Sequence, residues 1–171
     1  PLLQCEKTEI WARPVSPYAS NGVGMLFLPE VDDEVVLQFI NEAPCHPVIV
    51  GSLYSRKRKT PVSLDPKNNL KTIVTKNQLK ITLDDDKKII TIGTPGENTL
   101  ILDDDKKQIL LSDANKNKVC MDKNGIMVES GKDLIFKARG NVKTEGMGIE
   151  SKSKQDTKIC LLYTSPSPRD R

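Results

Sequence analysis

The sequence predicts an all-β chain in two parts, a small closed barrel followed by a ribbon of repeated strands. Three observations lead there. Short β-branched and apolar runs alternate with turn-forming residues from Pro1 to Tyr54, with no helical period among them. A block containing Leu-Asp-Asp-Asp-Lys-Lys, first met at Leu83, recurs at Leu102. Aromatic residues make up only 4% of the chain, too few to fill the core of a compact monomer of 171 residues.

In the first part, residues 9–13, 35–40 and 47–53 read as strands. Ser20-Asn21-Gly22, Asp32-Asp33 and Asn41 to Pro44 separate them as turns. Closing such strands into a barrel removes their exposed edges. Trp11, Phe27 and Phe39 are assigned to the barrel core. Residues 55–67 read as a linker, because the cationic run Arg56 to Lys59 is followed by Pro61 and Pro66.

Residues 68–160 read as the repeat ribbon. Leu83-Asp84-Asp85-Asp86-Lys87-Lys88 returns as Leu102-Asp103-Asp104-Asp105-Lys106-Lys107, and one further step of the same length reaches Met121-Asp122-Lys123-Asn124-Gly125. Alternating strands enter and leave each turn, and Asp, Asn and Gly suit the left-handed backbone of hairpins. Ile81, Leu83, Leu102, Leu111, Met121 and Val128 fall on one face; Lys80, Thr82, Thr91 and Lys118 fall on the other. A ribbon with one apolar face and no helix to cover it must bury that face against its own turns or against other chains. Several wrapped chains also pair the sheet edges, so these six residues are assigned to a shared core.

Composition excludes little else. Net charge is +3, so charge alone implies neither a nucleic acid nor a membrane partner. Cys5, Cys45, Cys120 and Cys160 follow no metal-ligand spacing and read as free thiols. One adjacent cysteine and the single His46 cannot complete a tetrahedral metal site within one chain. The carboxylates of Asp84–Asp86 and Asp103–Asp105 could line up as a calcium or glycosidase site, but read as solvated turns offset by their lysines. The run Arg56-Lys57-Arg58-Lys59 could contact phosphates. No nucleophile elbow or phosphate loop is present, so no enzyme activity, cofactor or metal is expected. No apolar run is long enough for a membrane span, and no signal peptide is read. The chain opens on Pro1 and reads as an excerpt of a longer protein; residues 161–171 break every earlier pattern and read as a non-native tail.

Two motifs in order suggest a family. Pro29-Glu30-Val31-Asp32-Asp33-Glu34-Val35-Val36 resembles a Pro-x-Val-Gly-Asp-Glu-Val-x-Val segment, and Pro44-Cys45-His46-Pro47-Val48-Ile49-Val50-Gly51-Ser52-Leu53-Tyr54 resembles its companion. Both are found in the OB-fold of VgrG proteins and contractile-phage baseplate spikes. Lys71 to Lys76 resembles the start of that family's β-helix. The resemblance implies an OB-fold over residues 1–54, lacking its first strand, with Pro29, Glu34, Pro47 and Gly51 shaping the barrel. The repeats would then be an intertwined trimeric β-helix, a β-prism. It further implies a homotrimeric spike that assembles in the cytoplasm and is exported to pierce a target membrane. Its partners would be the inner tube, baseplate proteins, and a PAAR-like tip protein or effectors. Asp32 departs from the family glycine and must take a left-handed backbone there. Two other readings remain, an OB-fold nucleic-acid binder and a carbohydrate-binding β-solenoid. The shortage of aromatics weighs against both.

Overall fold

The computed structural model describes residues 10–42, 46–155 and 157. The chain divides into two units, Pro1–Gly131 and Lys132–Arg171. The first opens with strands β1 (Arg13–Pro14), β2 (Ala19–Ser20), β3 (Val23–Gly24), β4 (Val35–Phe39) and β5 (Pro47–Ser52). Strand β5 lies between β1, which it pairs in parallel, and β4, which it pairs antiparallel. The ladder slips at Val36/Leu37, where a bulge bends β4. β2 and β3 form a hairpin around the expected Ser20-Asn21-Gly22 turn.

Two expectations need correction here. The strand placed at residues 9–13 is only Arg13–Pro14 within the described residues. The aromatics assigned to the barrel core are exposed, Trp11 at 88% and Phe27 at 67%, with Phe39 also open. The described strands form an open three-stranded sheet and a separate hairpin, so no second layer covers these rings. Asp32 does take the left-handed conformation its motif demands, at φ 68°. The Asp33 carboxylate accepts the Glu30 N–H at 2.8 Å and holds this turn closed.

The repeat forms one antiparallel meander of seven strands in chain order. They are β6 (Leu70–Val74), β7 (Lys80–Asp84), β8 (Ile89–Gly93), β9 (Thr99–Asp103), β10 (Gln108–Ser112), β11 (Lys118–Asp122) and β12 (Gly125–Glu129). At about 4.8 Å between neighbours, seven strands span roughly 30 Å.

Two series of turns alternate, both with the period of the sequence repeat. On one edge stand Asp65, Asp84, Asp103 and Asp122, each accepting backbone N–H groups of its own turn through its carboxylate. The first turn thus begins at Asp65, inside the segment read as linker. On the other edge stand Thr75, Thr94 and Asp113. Their N–H groups donate to the carbonyls of Leu79, Asn98 and Asn117 at 3.0, 3.0 and 3.1 Å. The left-handed residues differ from expectation. In the Asp84 and Asp103 turns they are Lys88 and Lys107, each at φ 51°, whereas the aspartates act as hydrogen-bond acceptors. A carboxylate that satisfies the turn's N–H groups stabilises the loop enough for lysine to occupy the less favourable position.

Ribbon strands were expected as far as residue 160. Among the described residues they stop at Glu129, and the described residues of the Lys132–Arg171 unit form no strand. One further step of the repeat lands on Ala138-Arg139-Gly140-Asn141, which lacks the β-branched residues that favour a pleated strand. Leu134, Ile135 and Phe136 are exposed there. The tail 161–171, Cys5, Cys45 and Cys160 lie outside the described residues.

Candidate functional site

Strand alternation and register place every residue of the meander on one of two faces. One face carries two rows across all seven strands. The first runs Lys71, Leu83, Ile90, Leu102, Ile109, Met121, Ile126; the second runs Ile73, Ile81, Ile92, Leu100, Leu111, Val119, Val128. Only Lys71, at the first strand, is polar. Ile81, Leu83, Leu102, Leu111, Met121 and Val128, the residues assigned to a shared core, all lie in these rows. Each of these six is exposed in the single chain, from 37% at Leu102 to 53% at Leu111.

Such a face has a clear energetic consequence. A fully buried aliphatic side chain gains about 1.5–3 kcal/mol, so the two-fifths still exposed here is worth roughly 1 kcal/mol per residue. Over the two rows the sum is about 10 kcal/mol per chain, before the costs of association. No large side chain among the described residues is fully buried, so these residues form no interior of their own to match.

The opposite face is mixed. Thr72, Thr82 and Thr91 form its central row on β6–β8, with 3.4 Å between the Thr72 and Thr82 hydroxyls. The row continues as Ile101, Leu110, Cys120 and Met127. Cys120 is buried, and its sulfur accepts the Gln108 side-chain N–H at 3.2 Å. Thr99 and Ser112 share a hydroxyl hydrogen bond of 2.7 Å, and Lys118 pairs with Glu129 at 2.7 Å. That pairing raises the lysine's pKa, through the hydrogen bond first and the charge second.

Asp103 is the most buried polar group of the sheet, at 5% exposure. Its carboxylate accepts the Lys106 N–H at 2.9 Å and pairs with the Lys106 ammonium at 3.1 Å. The backbone hydrogen bond is the main reason its pKa is lowered; partial burial opposes it and the ammonium assists. Asp113 closes the far edge. It accepts the Asn117 side chain at 2.9 Å and backbone at 3.0 Å, and these bonds lower its pKa. Asn117 Oδ1 in turn accepts Ser130 Oγ and the Gly131 N–H, each at 3.0 Å. This clamp at the end of β12 was not read from the sequence, although the Asp113/Asn117 spacing could have suggested it.

The four barrel-motif residues do not form a constellation around a cavity. Pro29 is half-buried beside the acidic turn, and Pro47 is buried at the start of β5 opposite Phe39. Glu34 is exposed, and its carbonyl accepts the Leu53 N–H at 2.9 Å. Gly51 pairs with Val36 next to the bulge, where an added Cβ would meet open space. Among the described residues no group of three His, Cys, Asp or Glu could hold a metal.

Comparison with known proteins adds the family. Residues 1–54 match the type VI secretion system/phage-baseplate injector OB domain, and residues 89–150 match the phage baseplate V C-terminal trimerisation domain. The chain belongs to the VgrG and phage-baseplate spike family. Relatives within this spike family include type VI secretion system spike protein VgrG3 of Vibrio cholerae serotype O1, 32% identical over 69 residues. VgrG4b of Pseudomonas aeruginosa, another type VI spike protein, is 31% identical over 68 residues. A further V. cholerae relative, actin cross-linking toxin VgrG1, is 29% identical over 69 residues. Each match covers 40% of this chain but only 7%, 8% and 6% of the respective relatives. The spike-family trimerisation match begins at Ile89, the first residue of β8, and so takes in most of the apolar face.

Proposed function

We propose that this chain is the part of a contractile injection spike where the OB-domain base passes into a trimeric needle. Its role is mechanical. The observation that supports it most directly is the pair of apolar rows, exposed in one chain except at the half-buried Leu100 and Val119 and interrupted only by Lys71. Three such sheets arranged about an axis, apolar rows inward, form a β-prism whose dry core is made of Ile, Leu, Val and Met. Pro29, Glu34, Pro47 and Gly51 shape the base above it. Burial of the apolar rows between chains gives slow unfolding, which suits a part loaded by force.

On this reading the spike assembles in the cytoplasm on the inner tube and baseplate, takes a tip protein or effector, and is driven outward through a target membrane. It performs no catalysis within these residues. The test uses the full-length spike in its host. Replacing Leu83 with Asp should abolish delivery of the inner tube protein to the medium, while the same change at Thr82, on the opposite face, should leave delivery intact. Undiminished export by the Leu83→Asp spike would overturn the proposal.

A further inference from the structure

The run Arg56-Lys57-Arg58-Lys59 is more than a solvated connector. The Ser55 N–H donates to the Arg58 carbonyl at 2.8 Å, and Ser55 Oγ accepts the Arg58 N–H at 3.2 Å. These bonds close a tight turn. Arg58 is half-buried and pairs with Asp33 at 2.9 Å, which pins the turn to the acidic loop of the base. That pairing neutralises the one carboxylate lining the cleft at this turn. Arg56, Lys57 and Lys59 are exposed and have no acidic partner among the described residues. The turn therefore displays three cations in a fixed arrangement.

Two shallow clefts flank it and share Tyr54 and Lys59. The first adds Ser52, Leu53 and Lys57; the second adds Ser55, Thr60 and Leu64. Each combines cationic and hydroxyl donors with apolar surface, and Tyr54 and Leu64 are 66% and 85% exposed. An amphipathic phenol and an aliphatic side chain beside unpaired cations fit one surface above others: anionic headgroups above acyl chains. Polybasic segments gain affinity for such a surface with each added cation.

We infer that the Ser55–Lys59 turn is a docking site for an anionic phospholipid bilayer, at the junction of base and needle. The phosphates are held by Arg56, Lys57 and Lys59, and Tyr54 and Leu64 enter the interface. This deepens the envelope-piercing reading above and rests on it for its biological occasion. In a trimer the turn is present three times, which multiplies a weak contact into a strong one. A nucleic acid would be attracted by the same charges, but the turn offers a single exposed ring and so lacks a run of stacking surfaces.

The test is flotation of the full chain with vesicles of phosphatidylcholine alone or of equimolar phosphatidylcholine and phosphatidylglycerol, with solution mass measured on the same samples. The expected result is binding to the anionic vesicles only. Combined replacement of Arg56, Lys57 and Lys59 by Gln should weaken it about 100-fold per chain. Tyr54→Ser with Leu64→Ser should weaken it further while leaving mass unchanged. Binding that persists in the Gln variant overturns the inference, as does absence of binding by the parent chain. Displacement by inorganic phosphate at millimolar concentration would show a free-anion site, and tighter binding to a single-stranded oligonucleotide would show a nucleic-acid site; either also overturns it. The mass reports separately on the spike reading: a trimer that ignores anionic vesicles leaves that reading standing.

Discussion

Replacing Leu102 with Asp puts a carboxylate in the middle of the first apolar row, between Ile90 and Ile109 on the neighbouring strands. In the single chain Leu102 is 37% exposed, so the substitution costs the isolated sheet little. In the proposed trimer that remaining surface faces the axis. Losing it forfeits roughly 1 kcal/mol per chain. The carboxylate must also be neutralised to enter a dry core. From an ordinary value near 3.9, holding the proton at pH 7 costs about 4 kcal/mol per chain. Three copies bring the total to roughly 15 kcal/mol per trimer, comparable to a large share of what the apolar faces supply. Sedimentation equilibrium at pH 7 should therefore find Leu102→Asp dissociated where the parent is associated. Lowering the pH toward 4 should restore association, since the proton is then nearly free of cost. Leu102→Ala should weaken the assembly without this pH dependence, and Thr91→Asp, on the opposite face, should leave it intact. An undiminished trimer of Leu102→Asp at pH 7 would refute the burial of this row.

Acidification should loosen the turns in a definite order of sign. Asp103 and Asp113 have lowered pKa values in the fold, so their stabilisation is full above the ordinary carboxylate range and is lost as pH falls through their depressed values. Asp113→Asn should flatten the acid limb of a thermal-melt series, and an unchanged limb would contradict the assignment. Lys118 has the opposite sign: its raised pKa means that the Glu129 pairing persists through neutral pH and fades only as alkaline pH passes the raised value. Glu129→Gln should remove that alkaline loss. Gly131→Ala should open the end of the sheet, because its Cβ would clash with the Asn115 carbonyl oxygen. Faster amide exchange at Ser130 and Gly131 is the expected sign, and unaltered exchange there would show that the loop yields without opening.

The repeat was legible because its period is local. The regular return of the Leu-Asp turn, the aspartate that heads each one and the apolar residue at every second position of one face are all written into nearby positions, and the structure keeps all of them. What the sequence concealed were features decided by geometry across strands. That Lys88 and Lys107 take the left-handed positions follows from where the aspartate carboxylates spend their hydrogen bonds. The Asn117 clamp ties β11 to Ser130 and Gly131 beyond the intervening turn, a separation at which pattern alone is silent. The N-terminal part was read too strongly from its aromatics. Trp11 and Phe27 are hydrophobic enough for a core, but burial needs a second layer, and no local pattern shows whether one is supplied. The bulge at Val36/Leu37 and the short β2–β3 hairpin were missed because very short strands carry too little alternation to register.

The central claim is that the two apolar rows meet other copies of the chain. The most direct measurement is the absolute mass of the full 171-residue chain in solution, by multi-angle light scattering over a range of concentrations. Three times the chain mass of 19.0 kDa, holding on dilution, is the result the account predicts. A stable monomer whose Ile, Leu and Val side chains remain open to solvent would contradict it.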